Sequence, residues 1–490
     1  MKLFLKIFFI LICLLFRCIF FGFSNNYTAI GIPYIENYAS KEYKTSIQTW
    51  AIIQDDRGMM YFGNNDGILE YDASTWRFMP ISNHSAIRSF CKDNKGQIYV
   101  GGTKEFGRLE TDNSGNTVYK SLSDRLKVKD FEAVWRIFSV ENDVYFFAGR
   151  ENIYRYNNSI DSLIEIFIPD DFEEFRGFNL GNDILLSSIN KGLAKIKNDS
   201  VIVLNILENI CSKNVYAIFE TIDNKIFIGT RNDGLFITSD RLDYNANISI
   251  ESFNYPINTY LKNAQIYSSS ILKNGYFVLT TIKGGIILLN QYGTPITLYT
   301  EEFGILSNSV YCSYEDVEGN LWMGTEEGIS KIELNSPIRK FNSSNGLNGS
   351  FLTITDFKGD IFIGTSLGIH LLEQNNMNNQ KVLISPVSTE HIYNLAYSKL
   401  YNHDKSQQWL IGSSLRHIFY LDQNKKVINI TDLYGCYSIL QSSVNHEDIY
   451  LGNTRGIQKL KVKFSTNGDS PKFYEYGNFE NFSENVRHMV

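Results

Sequence analysis

The sequence is poor in cysteine, and its cysteines are not spaced for metal or redox chemistry. Cys13 and Cys18 fall within the N-terminal leader, and the other four are far apart: Cys91, Cys211, Cys312 and Cys436. The absence of a Cys-x-x-Cys pair excludes a thioredoxin-like motif and a zinc site built from cysteines. We interpret the four separated cysteines as small buried residues, with disulfides as the alternative.

Other signatures of catalysis and of nucleic-acid binding are also missing. The seven histidines show no His-Glu-x-x-His and no paired spacing, so no metal is predicted. There is no Gly-x-Ser-x-Gly elbow, and the Gly-Thr pairs precede predicted strands, which excludes a phosphate-binding loop at a helix start. A net charge of −7 without a cluster of Lys and Arg argues against nucleic acid and an anionic membrane surface as partners.

Long apolar runs are confined to the N-terminus. Lys2 and Lys6 precede the apolar stretch Phe8–Phe16, and Gly22-Phe-Ser24 offers a small-residue cleavage site. We therefore predict a secretory signal peptide over residues 1–24, interrupted by Arg17, with an uncleaved membrane anchor as the alternative. No other stretch approaches the length of a membrane span. We expect the remainder of the chain to be soluble and periplasmic.

What the sequence does contain is a repeated pattern of turns and short strands. In its clearest copy Glu318-Gly-Asn320 is a tight turn, Leu321-Trp-Met323 is an apolar strand, and Gly324–Ile329 is a second turn that opens another strand. The second strands of ten such units end at or near Gly63, Gly101, Phe147, Leu186, Gly229, Val278, Gly324, Gly364, Gly412 and Gly452. Their spacing of about 40 to 50 residues is the length of one four-stranded propeller blade.

This spacing predicts an all-β fold, a seven-bladed β-propeller followed by an incomplete second propeller of about three blades. The segments Pro33–Tyr38 and Pro337–Phe341 look alike, each a Pro-led outer strand before a new set of units. We therefore predict a signal peptide over residues 1–24, a first propeller over 25–336 and a partial second propeller over 337–490. Residues 33–38 should supply the outer strand of blade seven, and residues 338–341 should close the second ring.

The second set of units ends within a blade. Phe473–Tyr476 is a predicted outer strand, and Asn485–Val490 is similar to the opening of an eleventh inner strand. An open wedge of three blades would expose an apolar face and an unpaired strand edge. We therefore expect this sequence to be a fragment or a truncated gene product.

The repeat at Asp316–Ile329 resembles the two-component-regulator propeller repeat found in periplasmic sensor regions of Bacteroidetes signalling proteins. Ile52–Tyr71 with Trp76 is similar to the first blade of members that also carry a triple-tyrosine module, and the resemblance extends over residues 28–490. It implies that the complete protein has two seven-bladed propellers, a triple-tyrosine module, a membrane span and a cytoplasmic output such as a histidine kinase. The complete protein would then be anchored in the inner membrane and able to form a homodimer through parts beyond this chain.

Candidate ligand-binding residues lie in the loops between the second and third strands, because these loops surround the axial funnel of a propeller. Charged and amide side chains recur there: Asn65, Asp66, Lys104, Arg150, Lys191, Arg231, Lys283 and Glu326. They suit the hydroxyls and carboxylates of an oligosaccharide, and Arg150 and Arg231 can each pair with a carboxylate through two hydrogen bonds. The alternative is that they are solvated turn residues.

Recurrent acidic residues such as Asp55, Asp223 and Asp316 raise the alternative of paired catalytic carboxylates. Because they occupy the same turn in successive units, we interpret them as residues that shape the turn. The segment Asp170–Glu174 is rich in acids and is a calcium candidate by composition, but it lacks the glycine spacing of a calcium loop. We interpret it as a solvated loop.

These observations favour a non-enzymatic sensor that recognises an extracellular small molecule or oligosaccharide, with no catalytic residue, cofactor or metal in this chain. One alternative is a protein-interaction scaffold, which would use the same surface without a small ligand. The other is a polysaccharide-acting propeller enzyme, which would need a carboxylate pair or a Tyr or His base in the funnel.

Overall fold

The computed structural model is almost entirely β-sheet. It describes residues 31–149, 152–169, 171–172, 174–206, 210, 212–244, 247–343, 346–374, 382–389, 391–402, 405–422, 424–464, 471–479, 484–487 and 489, so the predicted signal peptide lies outside the described residues. Within these ranges the strands form ten four-stranded sheets and one two-stranded sheet. The chain divides into two compact units, residues 33–338 and residues 339–490 with the N-terminal residues up to 32. None of the described helices is long and apolar enough to cross a membrane.

The described chain begins with β1 (Ile32–Pro33), β2 (Ile35–Tyr38) and the short helix α1 (Ser40–Tyr43). Six four-stranded sheets follow, and in each the strands lie side by side in chain order. The first three are β3 (Thr49–Gln54), β4 (Met60–Asn64), β5 (Ile68–Tyr71) and β6 (Trp76–Met79); β7 (Ile87–Lys92), β8 (Ile98–Gly102), β9 (Glu105–Thr111) and β10 (Thr117–Ser121); and β11 (Val134–Val140), β12 (Asp143–Ala148), β13 (Asn152–Asn157) and β14 (Ser162–Ile166).

The next three sheets repeat this order, with the eight-residue helix α2 (Ile257–Ala264) between the last two. They are β15 (Arg176–Leu180), β16 (Asp183–Ser188), β17 (Gly192–Lys197) and β18 (Ser200–Val203); β19 (Val215–Glu220), β20 (Ile226–Thr230), β21 (Gly234–Thr238) and β22 (Glu251–Ser252); and β23 (Ile266–Ile271), β24 (Phe277–Thr281), β25 (Ile286–Leu289) and β26 (Pro295–Tyr299). Short 3₁₀ turns cover Ser123–Arg125 and Glu301–Phe303.

The seventh sheet joins the two ends of this unit. It contains β27 (Val310–Glu315), β28 (Leu321–Thr325) and β29 (Ile329–Ile332), and its outer strand is β2, with Tyr38 opposite Ile329. Its inner strand β27 contacts β3 of the first sheet, which closes a ring of seven sheets. The propeller prediction is confirmed, and so is the prediction that residues 33–38 supply the outer strand of blade seven.

A short strand forms at the segment predicted at residues 338–341. It is β30 (Arg339–Lys340), which pairs with β1 in the two-stranded sheet. Closure of a second ring by this segment stays a prediction. The compact units divide between Ile338 and Arg339, close to the predicted boundary before Pro337.

Aromatic side chains fill the space between neighbouring sheets of residues 33–338. Between the second and third sheets Tyr99 and Phe106 pack against Phe146, and the ring centroids of Phe106 and Phe146 are 4.5 Å apart. Near the axis the sheets approach more closely, since a Cβ added to Gly101 would lie 2.8 Å from the carbonyl oxygen of Val134. Glycine at this point of the second strand therefore lets the next inner strand pass beside it.

Residues 339–490 contain three further four-stranded sheets. They are β31 (Phe351–Phe357), β32 (Asp360–Thr365), β33 (Gly368–Gln374) and β34 (Val382–Ser388); β35 (Ile392–Asn402), β36 (Lys405–Ser414), β37 (His417–Leu421) and β38 (Val427–Asp432); and β39 (Cys436–Gln441), β40 (Asp448–Asn453), β41 (Gly456–Phe464) and β42 (Pro471–Asn478). The outer strand predicted at residues 473–476 lies within β42. The inner strand β31 exposes Phe351 to 57% and Ile354 to 56%.

The last described residues follow the path of an inner strand without being assigned as one. The backbone N–H of Val486 donates to the carbonyl oxygen of Asn453 at 3.0 Å, and the N–H of Met489 donates to Oγ of Ser438 at 3.1 Å. A Cβ added to Gly452 would lie 2.8 Å from the carbonyl oxygen of Val486. The backbone of Val486 therefore passes close to Gly452 in the same way that the backbone of Val134 passes close to Gly101 in the first unit.

Candidate functional site

Inner strands of residues 33–338 carry an irregularity close to their start. In β3, β7, β11, β19, β23 and β27 the pairing register shifts between the first and the third residue, so the second residue has no partner on the neighbouring strand. A β-bulge of this kind redirects the side chain of the extra residue and is common beside binding sites. In the fourth sheet Arg176, the first residue of β15, takes the corresponding place.

The seven side chains at these positions line one cavity, and we call them the axial ring: Trp50, Arg88, Trp135, Arg176, Tyr216, Tyr267 and Tyr311. The cavity has a volume of about 770 Å³, which is within the range of small-molecule sites. Each blade contributes one member, and all lie near the start of an inner strand. The cavity therefore lies at one end of the propeller axis.

Aromatic members of the axial ring contact one another. Trp50 stacks on Tyr311 with ring centroids 4.3 Å apart, and Tyr311 meets the edge of Tyr267 at 5.4 Å. Tyr267 in turn lies 5.7 Å from Tyr216. The indole N–H of Trp50 donates to Oδ1 of Asn65 at 2.8 Å, which fixes the orientation of this ring. One side of the cavity is therefore a preformed wall of flat aromatic rings.

The guanidinium of Arg88 lies between two indoles. Its Cζ is 4.2 Å from the ring centroid of Trp50 and 5.0 Å from that of Trp135, a cation–π arrangement. Nε and Nη1 are buried and have no hydrogen-bond partner among the described residues. Burial lowers the pKa of Arg88, while Tyr267 and Tyr311 act in the opposite direction. The structure therefore holds a partly desolvated cation in the wall of the cavity.

The other arginines of the cavity are held by tyrosine and backbone oxygens. Cζ of Arg176 lies 3.7 Å from the ring centroid of Tyr216, and its Nη1 donates to the carbonyl oxygen of Val215 at 3.0 Å. Nη1 of Arg231 donates to the hydroxyl of Tyr216 at 2.8 Å. Burial lowers the pKa of Arg176, Tyr216 opposes this, and the neighbouring Arg136 lowers it further.

The charge of the lining is positive. Four arginines face the cavity together with two carboxylates: Arg88, Arg136, Arg176, Arg231, Glu132 and Glu174. Positive charge combined with aromatic faces suits a small anionic or polar ligand with a flat surface.

Of the eight binding residues predicted from the sequence, Arg231 is the one described residue that lines this cavity. Asn65 supports the cavity indirectly because it accepts the indole hydrogen of Trp50. Arg150 lies outside the described residues.

The remaining predicted residues lie around the loops between second and third strands. Asp66 accepts a hydrogen bond from the backbone N–H of Ser46 at 2.8 Å, and Lys191 forms an ion pair with Asp171. The other three side chains are exposed to solvent: Lys104, Lys283 and Glu326. A ligand-binding role for these loop residues stays a prediction.

The sequence did contain a signal for the axial ring. Near the start of the inner strands a residue with a branched or bulky apolar side chain is followed by an aromatic residue or arginine, as in Ile87-Arg88, Val134-Trp135, Val215-Tyr216, Ile266-Tyr267 and Val310-Tyr311. The first residue of each pair is fully buried. An aromatic or arginine at the next position in blade after blade indicates a shared surface.

The recurrent acids shape turns, as predicted. Asp316 accepts hydrogen bonds from the backbone N–H of Glu318 at 3.0 Å and of Asn320 at 2.8 Å, and from the indole of Trp322 at 2.7 Å. Asp55 likewise accepts from two backbone N–H groups of its own turn at 2.9 Å. These carboxylates are therefore engaged within the turns.

The acidic segment near residue 171 is only partly described. Asp171 pairs with Lys191, and Asp170 and Glu173 lie outside the described residues. Among the residues that the structure does describe, no group of three or more His, Cys, Asp or Glu side chains could hold a metal ion.

Comparison with known proteins agrees with this fold. Residues 304–327 match the family model described as two component regulator propeller. The chain is similar to the extracellular domain of a putative hybrid two component system from B. thetaiotaomicron, with 15% identity and a TM-score of 0.52, covering 93% of this chain and 68% of that one. No curated protein matches the chain.

Two further solved structures show weaker likeness. A second putative hybrid two component system from B. thetaiotaomicron has an extracellular domain with 17% identity and a TM-score of 0.47, over 91% of this chain and 61% of that one. Virginiamycin B lyase from Staphylococcus aureus has 12% identity and a TM-score of 0.46, over 61% of this chain and 99% of that one.

Ten blade-like sheets and a cavity on the axis of the first seven define the class of the protein, a β-propeller. Within that class, residues 304–327 around Trp322 match the two-component-regulator propeller repeat, which agrees with the resemblance found at Asp316–Ile329.

Proposed function

We propose that this chain is the ligand-sensing region of a periplasmic receptor and that residues 33–338 bind the ligand in the axial cavity. The observation that carries the proposal is the axial ring, in which seven blades each direct one aromatic or arginine side chain into the same cavity. Bulges at binding surfaces re-aim side chains without ending the strand. Their recurrence in blade after blade gives the cavity a built lining.

The chemistry of the lining supports a glycan fragment or a comparable polar ligand. A partly exposed ring such as Trp135 can pack against the apolar face of a sugar, and guanidinium groups donate hydrogen bonds to hydroxyl and carboxylate oxygens. The recurrent turn acids are occupied by backbone N–H groups, so they do not offer a free pair for hydrolysis. The carboxylates in the described lining of the cavity are Glu132 and Glu174. We propose recognition without catalysis, and hydrolysis of the bound saccharide is the alternative.

Signalling is proposed from the family and from the fold. The solved structure with the higher TM-score is described as the extracellular domain of a putative hybrid two component system. A ligand can shift such a receptor only if it binds one of two states more tightly. We propose that ligand in the axial cavity changes the state of a membrane-anchored, dimeric receptor of which this chain is the periplasmic part.

The proposal is tested by measuring binding of an oligosaccharide panel to the mature full chain by isothermal titration calorimetry. We expect at least one member to bind, and Tyr216→Ala and Trp50→Ala to weaken it by about tenfold or more. Tyr292→Ala is the matched control, because Tyr292 is 52% exposed and does not line the cavity.

A panel without any binder, or binding unaffected by both ring variants, would contradict the proposal. The protein-interaction scaffold would then be the better interpretation.

A further inference from the structure

We infer that the axial ligand carries an anionic group, a carboxylate of an acidic saccharide, and that Arg88 binds it. This inference rests on the proposed function and adds the chemical class of the ligand. It follows from the hydrogen-bond partners of the axial arginines, which include tyrosine and backbone oxygens but no ion-paired carboxylate among the described residues.

Five arginines outside the cavity are paired with carboxylates. Arg57 pairs with Asp55 at 2.7 Å and Arg77 with Glu70 at 2.7 Å. Three more arginines form ion pairs in the same way: Arg108, Arg125 and Arg155.

The axial arginines differ from these five. In the described part of the chain the salt bridges involve none of the four: Arg88, Arg136, Arg176 and Arg231. Arg176 and Arg231 use backbone and tyrosine oxygens instead. Because burying an unpaired cation is unfavourable, a cavity whose described lining has four arginines against the two carboxylates Glu132 and Glu174 favours an external anion.

Arg88 is the arginine best placed to meet that anion. Its Cζ lies 4.2 Å from the ring centroid of Trp50 and 5.0 Å from that of Trp135, and these two indoles meet edge to face. Contacts with two rings therefore restrain the guanidinium before a ligand arrives. Nε and Nη1 are buried without partners in the described part of the chain, and Arg88 lines the cavity. Its guanidinium therefore has donors that are not used within the protein.

The surroundings of Arg88 also indicate what accompanies the anionic group. The indoles of Trp50 and Trp135 lie beside the guanidinium, and Trp135 is 39% exposed. A carboxylate attached directly to a sugar ring would place the charge on Arg88 and the ring against the exposed part of Trp135. A hexuronic acid has this arrangement, and a neutral hexose does not.

The test uses three probes that separate charge from shape. Trigalacturonate, its methyl ester and maltotriose are titrated into the mature full chain by calorimetry. We expect the acid to bind about tenfold or more tightly than its ester, and to lose affinity as salt is added. Inorganic sulfate serves as a further probe, and competition by sulfate would show that the site recognises the charge itself.

Arg88→Gln should abolish the preference for the acid over the ester, whereas Arg88→Lys should retain part of it because the charge remains. Arg77→Gln is the matched control, since Arg77 pairs with Glu70 outside the cavity. Circular dichroism and thermal unfolding report whether each variant is folded. If Arg88→Gln does not fold, the comparison of acid and ester on the unmutated chain and on Arg88→Lys still decides.

The outcomes distinguish this inference from the proposed function. Equal binding of acid and ester, or preference retained in folded Arg88→Gln, would overturn the inference and leave the sensor proposal standing. Binding of maltotriose alone would do the same. Absence of binding by any probe in the panel above would remove the proposed function together with the inference.

Discussion

Tyr38 stacks on Trp322, with ring centroids 5.6 Å apart and an angle of 14° between the ring planes. Tyr38 belongs to β2 and Trp322 to β28, so this contact joins the start of the first unit to its last sheet. Tyr71 and Trp76 of the first sheet lie within 5.6 Å and 5.5 Å of the Tyr38 ring. The point at which the ring of seven sheets closes is therefore an aromatic cluster.

Truncating this cluster should destabilise the first unit. We expect Trp322→Ala to lower the free energy of unfolding by about 3 to 5 kcal/mol, as for other buried aromatic side chains. Urea unfolding followed by tryptophan fluorescence and circular dichroism measures the change. Tyr34→Ala is the control, because Tyr34 is 53% exposed and should shift stability by no more than about 0.5 kcal/mol. Equal effects of the two substitutions would show that closure does not depend on this contact.

Asp316→Ala tests the turn function of the recurrent acids. The substitution leaves the N–H groups of Glu318, Asn320 and Trp322 without their acceptor, and we expect a loss of about 3 kcal/mol. Asp56→Ala is the matched control, since Asp56 occupies an equivalent turn but forms an exposed ion pair with Lys92, which contributes about 0 to 1 kcal/mol. Thermal unfolding of both variants measures the difference. A catalytic role for the acids would instead predict unchanged stability in Asp316→Ala.

Glycine at the end of the second strand should tolerate alanine to different degrees in different blades. A Cβ on Gly324 would lie 2.5 Å from the backbone oxygen of Thr49, whereas a Cβ on Gly229 would lie 3.1 Å from Cβ of Ala217. We expect Gly324→Ala to cost about 3 kcal/mol and Gly229→Ala about 1 kcal/mol, because overpacking against backbone cannot relax. Parallel urea titrations of the two variants provide the comparison. A larger loss in Gly229→Ala would contradict the close approach at the junction of blades seven and one.

Thiol alkylation tests the burial of the cysteines. Cys91, Cys312 and Cys436 are free, and burial raises the pKa of each thiol to about 12. Because the thiolate is the reactive form, we expect iodoacetamide at pH 8 to modify these residues only after unfolding. Since unfolded thiols ionise near pH 8.5, the same shift favours the folded state below that pH. This stabilisation is lost progressively as the pH rises toward 12. Rapid labelling of the native protein, detected by peptide mass spectrometry, would show that these thiols are accessible.

Much of the fold could be predicted from the sequence because its determinants are local. The turn at Glu318-Gly-Asn320 and the short strand at Leu321–Trp322 are specified by neighbouring residues, and their repetition sets the blade length. Closure by β2 was also visible in the likeness of two Pro-led segments. At residues 338–341 the same likeness predicted a strand, and β30 forms there. Its pairing with β1 could not be predicted, because a local pattern does not say which strand edge will receive its hydrogen bonds.

The candidate site was harder to predict because it depends on strand register. Loop residues such as Lys104 and Lys283 have the expected chemistry, but their exposed side chains lie outside the axial cavity. Trp50 and Arg88 lie inside strands whose sequences predict regular alternation of inward and outward side chains. Their direction is set by an offset between two paired strands, which sequence composition does not reveal.

Because of the bulges, the side chains of the axial ring are independent of the backbone hydrogen bonds that pair the strands within each blade. Trp50 and its counterparts in the other bulged strands have no paired residue on the neighbouring second strand. Exchanging such a side chain alters no backbone hydrogen bond between strands. A library randomised at these codons would therefore sample new specificities on an unchanged scaffold, which makes this propeller a starting point for engineered receptors.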